Sequence, residues 1–145
     1  MIALDLLRAP DSGLRTTTLV LAALNTAQAD AFIACWDSKY AYYAERPVTA
    51  IRRDVDPNWL RLLTTPPFPT YVSGHSTTSA AAATVLSAFF PAHRAQLQAW
   101  ANEAATSRLY AGIHFRNDND AGLALGTAVA QAALDRLARV GIADL

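Results

Sequence analysis

The chain has 145 residues, 52% of them hydrophobic and 17% charged, and its twelve basic residues balance its twelve acidic ones. That length fits one domain with a real core and falls short of two ordinary ones. A net charge of zero and a pI near 6.8 exclude a strongly basic nucleic-acid surface and leave nothing to attract an acidic membrane, so neither is expected as a partner.

Alanine is abundant and glycine sparse, a balance that points to packed helices, and no alternating strand pattern or internal repeat is present. The predicted fold is all-α, a single helical domain over residues 1–145. The N-terminus, MIALDLLRAPDSG, contains acidic residues and a proline and lacks a long apolar run. It does not read as a signal peptide, and a soluble, cytoplasmic protein is expected. Asp11, Ser12 and Gly13 form a breaker, and the threonines at 16–18 can cap the helix that follows.

From Thr17 to Glu45 apolar residues recur at helical spacing. Pro47 disfavours helical geometry at the residue before it, so this helix is predicted to stop at Arg46. Cys35, the only cysteine, excludes an intramolecular disulfide and reads as a buried thiol beside Trp36. Residues 48–73 include Pro57, Pro66, Pro67 and Pro69 and are predicted as a long ordered loop with one turn near Asn58–Leu62. A long structureless connection inside a compact domain is usually functional.

A second helix is predicted from near His75 to before Pro91, a third over Pro91–Thr106 and a last over Asn117–Val140. The longest apolar run, Ala80–Ala92, is broken by Thr84 and Ser87 and is too short to cross a bilayer, so no membrane span is expected. His93 falls in an interhelical turn, Arg52, Arg53 and Asp54 in a solvated cluster, and Tyr40, Tyr42, Tyr43 and Tyr110 between helices with wet hydroxyls.

Three segments carry chemistry. Eleven arginines accompany one lysine, Lys39, which suggests a position that needs a compact point charge. Lys39 and Arg46 are seven apart, two helical turns, and so project from one face; a solvated basic face fits the same spacing. In YVSGHSTTS, Ser73 and Gly74 precede a helix whose first amides lack intrahelical partners, a ready anion site, although Ser73 or Ser76 equally suits a plain N-cap. In SRLYAGIHFRNDND, Arg108 offers a planar set of donors, and His114 and Asp118 are four apart, one helical turn. A carboxylate on one ring nitrogen leaves the other basic, although such a pair is also common as a structural element. Together these segments supply three cations, helix-start amides and two imidazoles, an inventory suited to a tetrahedral oxyanion. G-x-S-x-G, Walker, H-E-x-x-H and dinucleotide motifs are absent.

In order, the spacings are K-x6-RP (Lys39–Pro47), SGH (Ser73–His75) and SR-x5-H-x3-D (Ser107–Asp118). This set resembles the superfamily of vanadium-dependent haloperoxidases and type 2 phosphatidic acid phosphatases with their acid-phosphatase relatives, over roughly Ala31 to Gly126. The resemblance implies a helical bundle with one oxyanion pocket, for vanadate as cofactor in the peroxidases and for substrate phosphate, with no cofactor, in the phosphatases. By the same resemblance Lys39, Arg46, Ser73, Gly74 and Arg108 bind the anion's oxygens. His114 bonds the central vanadium or phosphorus, Asp118 orients it and His75 transfers protons. Trp36 and Phe68 resemble the aromatic wall beside the halide in the chloroperoxidases.

The chain departs from the pattern at Val72, where proline is usual, and in having only about 35 residues before Trp36, where relatives have several more helices. A fragment or a shortened member is expected, with a second subunit, as a homodimer, to supply the missing packing. The leading expectation is a vanadate-dependent haloperoxidase acting on hydrogen peroxide and halide. A soluble phosphatase cleaving phosphate monoesters through a phosphohistidine at His114 is the alternative, and an inactive anion-binding domain the third.

Overall fold

The computed structural model describes residues 2–8 and 13–141. Six α-helices run in chain order: α1 (Ile2–Leu7), α2 (Leu14–Tyr42), α3 (Pro47–Asp54), α4 (Gly74–Phe89), α5 (Arg94–Tyr110) and α6 (Arg116–Arg139), with a 3₁₀ turn at Pro91–His93. No strand occurs among the described residues, and the expected all-α fold is the one observed. Asp11 and Ser12 of the expected breaker lie outside the described residues.

Helix α4 is the centre of the bundle, with α2, α5 and α6 packed around it. Its alanines explain why. Ala80, Ala81 and Ala83 are buried there, and small side chains let neighbouring backbones come close. Along α2 the buried positions after Val20 are Ala23, Ala27, Ala31, Cys35 and Lys39, one every four residues, so they form a single stripe down the helix. The stripe begins as core, where Ala23, Ala27 and Ala31 join Ala81, Val85 and Ala130. It ends in a thiol and an ammonium. A second cluster, from Leu7, Val20, Ala83, Leu86, Leu97 and Ala101, closes the far end of the bundle.

The tightest approach is between α4 and α6. A Cβ on Gly122 would lie 2.7 Å from the Ser73 carbonyl oxygen, and one on Gly126 only 2.0 Å from that of Thr77. Only glycine fits at either position.

Several expectations need correction. Helix α2 starts at Leu14 behind Gly13, with no side-chain cap from the threonines, and ends at Tyr42 rather than Glu45. Tyr43 takes the left-handed conformation (φ 49°, ψ 38°) that closes the helix through its N–H to the Lys39 carbonyl. Pro47 does not merely end a helix; it opens α3, in the first-turn position where its missing N–H costs nothing. Helix α3 therefore occupies much of the segment expected to be loop, and the turn that follows lies at Asp56–Trp59. The third helix begins later and runs further than expected, to Tyr110. Tyr40, Tyr42, Tyr43 and Tyr110 are exposed rather than packed between helices. Cys35 is buried, and His93 and the Arg52–Asp54 cluster are exposed.

By length and composition the stretch beginning at Leu14 is apolar enough to cross a membrane, with an 18-residue window of mean hydropathy 1.4. The expectation of no span had weighed only Ala80–Ala92. Core helices satisfy the same criterion, and α2 carries part of the core of this bundle.

Candidate active site

At the end of the bundle where α4 begins, a cleft of about 340 Å³ opens between α2, the 66–68 segment and the approach to α6. Lys39, Gly74, His75 and His114 line it together with Trp36 and Phe68, so the structure brings six of the sequence candidates to one cavity. Phe32, Cys35, Pro66, Thr78 and Ile113 complete the wall. Arg46, Ser73, Arg108 and Asp118 stand outside this lining and act on residues within it.

His114 precedes α6 rather than lying on it, so it does not meet Asp118 across a helical turn. The chain enters the helix through Phe115, whose N–H donates to Asp118 Oδ2 at 2.9 Å; the carboxylate caps the helix and is thereby fixed. The same oxygen takes the Thr70 hydroxyl at 2.5 Å and faces His114 Nδ1 at 3.1 Å. On the other side of the ring, Arg46 Nη1 lies 3.1 Å from Nε2. A guanidinium can only donate, so Nε2 accepts and the proton sits on Nδ1, pointing at the carboxylate.

Burial pulls the His114 pKa below the usual range; the Asp118 hydrogen bond opposes this, and the charges of Arg46 and Lys39 reinforce it. Burial alone would raise the Asp118 carboxyl, but hydrogen bonds from His114, Thr70 and the Phe115 amide together hold it below its ordinary value. The pair therefore rests as a carboxylate and a neutral imidazole whose remaining lone pair, at Nε2, takes a hydrogen from Arg46 Nη1.

Lys39 and Arg46 reach the site by different routes. Because α2 ends between them, they do not share a helix face; Lys39 ends the buried stripe of α2, and Arg46 is the residue that precedes α3. Lys39 is 1% exposed. Its ammonium donates to the carbonyls of Pro69, Thr70 and Val72 at 2.9, 3.1 and 2.6 Å, which uses all three of its hydrogens. Burial pushes its pKa down to about 8, with Cys35 and Asp118 acting to raise it and Arg46 to lower it further. Arg46 donates from Nε to the Phe68 carbonyl and from Nη1 to that of Ile113. Its Nη2 is buried without a partner among the described residues. Phe68 serves both cations as a π face, 5.2 Å from the Lys39 nitrogen and 5.0 Å from the Arg46 guanidinium carbon, and its ring meets Trp36 at 5.0 Å.

Ser73 is fully buried and is the N-cap of α4, accepting from the Ser76 amide at 3.5 Å. Both sequence readings of this stretch thus fall on one residue pair: Ser73 caps, and Gly74 at the first turn faces the cleft. The Ser73 backbone N–H donates to the Asp118 carbonyl at 2.9 Å, which ties the start of α4 to the start of α6. At the rim Arg108 Nη1 lies 3.4 Å from His75 Nε2, while its Nε donates to Ser107 Oγ. Burial and then the Arg108 charge lower the His75 pKa, which favours a neutral ring.

Thr70, which braces the His114–Asp118 pair, escaped the sequence reading although it lies within PFPTYVSGHS. A threonine four residues before a glycine–histidine pair has no pattern that marks it; only the fold places it beside residues more than forty positions away. No group of three or more His, Cys, Asp or Glu side chains able to hold a metal ion occurs among the described residues. The site offers one imidazole lone pair beside fixed positive charge and an orphaned guanidinium nitrogen, a donor set that fits an oxyanion.

The family model described as the VCPO second helical-bundle domain matches residues 19–98 and 91–141. The chain belongs to the vanadium haloperoxidase superfamily. Its fold is similar to the crystal structure of a bacterial vanadium-dependent iodoperoxidase, with a TM-score of 0.86 and 35% identity. That alignment covers 94% of this chain and 37% of the iodoperoxidase, so this superfamily member spans little more than a third of that relative's length. No curated protein sequence matches it.

Proposed function

We propose that this chain carries the anion-binding bundle of a vanadate-dependent haloperoxidase, which uses hydrogen peroxide to oxidise halide to hypohalous acid. The observation that carries the reading is the pairing, in one cleft, of an Nε2 lone pair on His114 with an aromatic wall of Trp36 and Phe68. The likeness to an iodoperoxidase supports it and makes iodide the first halide to try.

In this reading His114 Nε2 would hold vanadate once Arg46 Nη1, which donates to it here, turns to the anion's oxygens, and Asp118 keeps the proton on Nδ1 so that Nε2 stays the basic nitrogen. Lys39 contributes charge rather than a free hydrogen, because its three are committed to carbonyls. Arg46, through the unpartnered Nη2, together with Arg108, Ser73 and the Gly74 amide, supplies the remaining donors to the anion's oxygens. Vanadate, when bound, supplies a Lewis-acid centre that activates peroxide toward halide without changing its oxidation state. His75, a ring that burial and the Arg108 charge keep neutral, would take the peroxide proton. Trp36 and Phe68 hold the halide away from water, which keeps it nucleophilic.

The test is halogenation of a dye by vanadate-loaded protein with peroxide and iodide or bromide, beside hydrolysis of an aryl phosphate by vanadate-free protein. The expected result is halogenation that depends on vanadate and is lost in His114→Ala. Aryl phosphate hydrolysis lost in the same variant, without halogenation, would replace this reading with a phosphatase that attacks phosphorus through His114. Binding of vanadate with neither activity would leave an anion-binding domain.

A further inference from the structure

The His114–Asp118 pair is shared between two cavities. His114 lines the cleft described above; Asp118 lines a second cavity of about 520 Å³, which has no lining residue in common with the first. This volume is within the range of small-molecule sites. Its walls are Tyr42, Tyr71 and Phe115, with the two tyrosine rings edge to face at 5.0 Å, and Ala44, Glu45, Thr70, Asn117 and Asp118 complete it.

The charge of this lining is one-sided: it contains two carboxylates and no lysine, arginine or histidine. Glu45 is already neutralised, since both of its oxygens receive Arg53 at 2.8 and 2.9 Å. Asp118 is not. Its three hydrogen bonds all fall on Oδ2, and they come from a hydroxyl, an amide and a neutral imidazole. Oδ1 takes none among the described residues and is not sealed from solvent, although the residue as a whole is 3% exposed. A carboxylate oxygen that takes no hydrogen bond, on a residue lining an aromatic cavity, calls for a cation that can also use the ring faces.

We propose that this second cavity binds an organic ammonium ion, whose N–H donates to Asp118 Oδ1 while its carbon skeleton packs against Tyr42, Tyr71 and Phe115. The ring faces attract the spread positive charge, and the carboxylate fixes its position. Its chemistry stands whichever reaction the first cleft performs, but because Asp118 also braces His114, occupancy of this second cavity competes with the ring for the charge that holds it.

The experiment is an aromatic-region NMR titration of the protein with benzylammonium, with benzyl alcohol as the uncharged counterpart. Saturable shifts of the Tyr42, Tyr71 and Phe115 signals are expected for the cation, with the alcohol at least tenfold weaker. Tyr42→Ala removes a solvent-facing ring that supports neither helix packing nor His114, and should weaken benzylammonium about threefold to fivefold, the effect of one exposed cation–π wall. Asp118→Asn, checked for folding by circular dichroism, should weaken it at least tenfold. Equal binding of alcohol and ammonium would mean an apolar groove only. That result, the lack of saturable shifts, or an unchanged affinity in both variants would overturn the proposal.

Discussion

Thr70 carries no charge, does not line the first cleft, and sits one hydroxyl away from both members of the His114–Asp118 pair. Residues that orient a ligand in this way typically contribute tenfold to a hundredfold in affinity. Thr70→Val should therefore weaken vanadate binding about tenfold by calorimetry, while Thr70→Ser, which keeps the hydroxyl, restores most of it; equal affinities in the two variants would show that the hydroxyl has no such role. Lys39 sets the pH dependence. With its pKa lowered to about 8, the ammonium loses its charge above that pH, so phosphate or vanadate affinity should fall as pH rises through about 8. In Lys39→Arg this step should disappear, whatever the absolute affinity. Stability moves the opposite way. An unfolded lysine keeps its proton to about 10.5, so between pH 8 and 10.5 the unfolded chain binds more protons and the native state gains as pH rises.

At the scale of elements, two backbone features make opposite predictions. Tyr43 closes α2 in a left-handed conformation that costs a side-chain-bearing residue about 1 kcal/mol and costs glycine little. Tyr43→Gly should thus stabilise the protein by about 1 kcal/mol in urea denaturation, unless the ring's contact with Tyr40 at 6.5 Å offsets the gain. Gly126→Ala should do the reverse. A Cβ placed 2.0 Å from the Thr77 carbonyl oxygen must push α6 off α4, a cost of about 3 kcal/mol, visible as a lower Tm. Neither feature could be read from the sequence. A tyrosine in a left-handed cap contradicts local preference, and Gly126 in ALGTAVA gives no sign of which helix it will meet. The main helices were legible because their apolar spacing is local; α3 was not, because one proline serves as either a stop or a start. The motif residues were legible as a set, yet the reasons for their convergence were not. Lys39 and Arg46 look like neighbours on one helix, yet Lys39 ends the buried stripe of α2 and Arg46 precedes α3, and carbonyls of Phe68 and Pro69 hold them together.

For the whole molecule, an anion that binds only the native state adds stability by mass action. At a hundred times its dissociation constant vanadate should contribute about 2.7 kcal/mol. The thermal midpoint should rise accordingly, and His114→Ala should abolish the rise. A rise that survives in that variant would place the anion elsewhere. The bundle also presents Phe32, Ile33 and Tyr40 to solvent along α2, with Phe32, Trp36 and Tyr40 in ring contact at 5.7 Å steps that lead from the cleft outward.

The close fit of α4 on α6 decides where traffic can pass. Gly122 and Gly126 leave no space between these helices, and the Ser73–Asp118 backbone bond pins their ends together. They form the rigid floor beneath His114, and a visitor has no path through it. In the proposed function, reactants would arrive and products depart across the opposite bank, over Phe32, Trp36, Pro66 and Phe68. Of these, Phe32 and Pro66 touch neither cation, so changing their size should tune the speed of passage, whereas a change at Phe68 would also disturb the π face beneath Lys39 and Arg46.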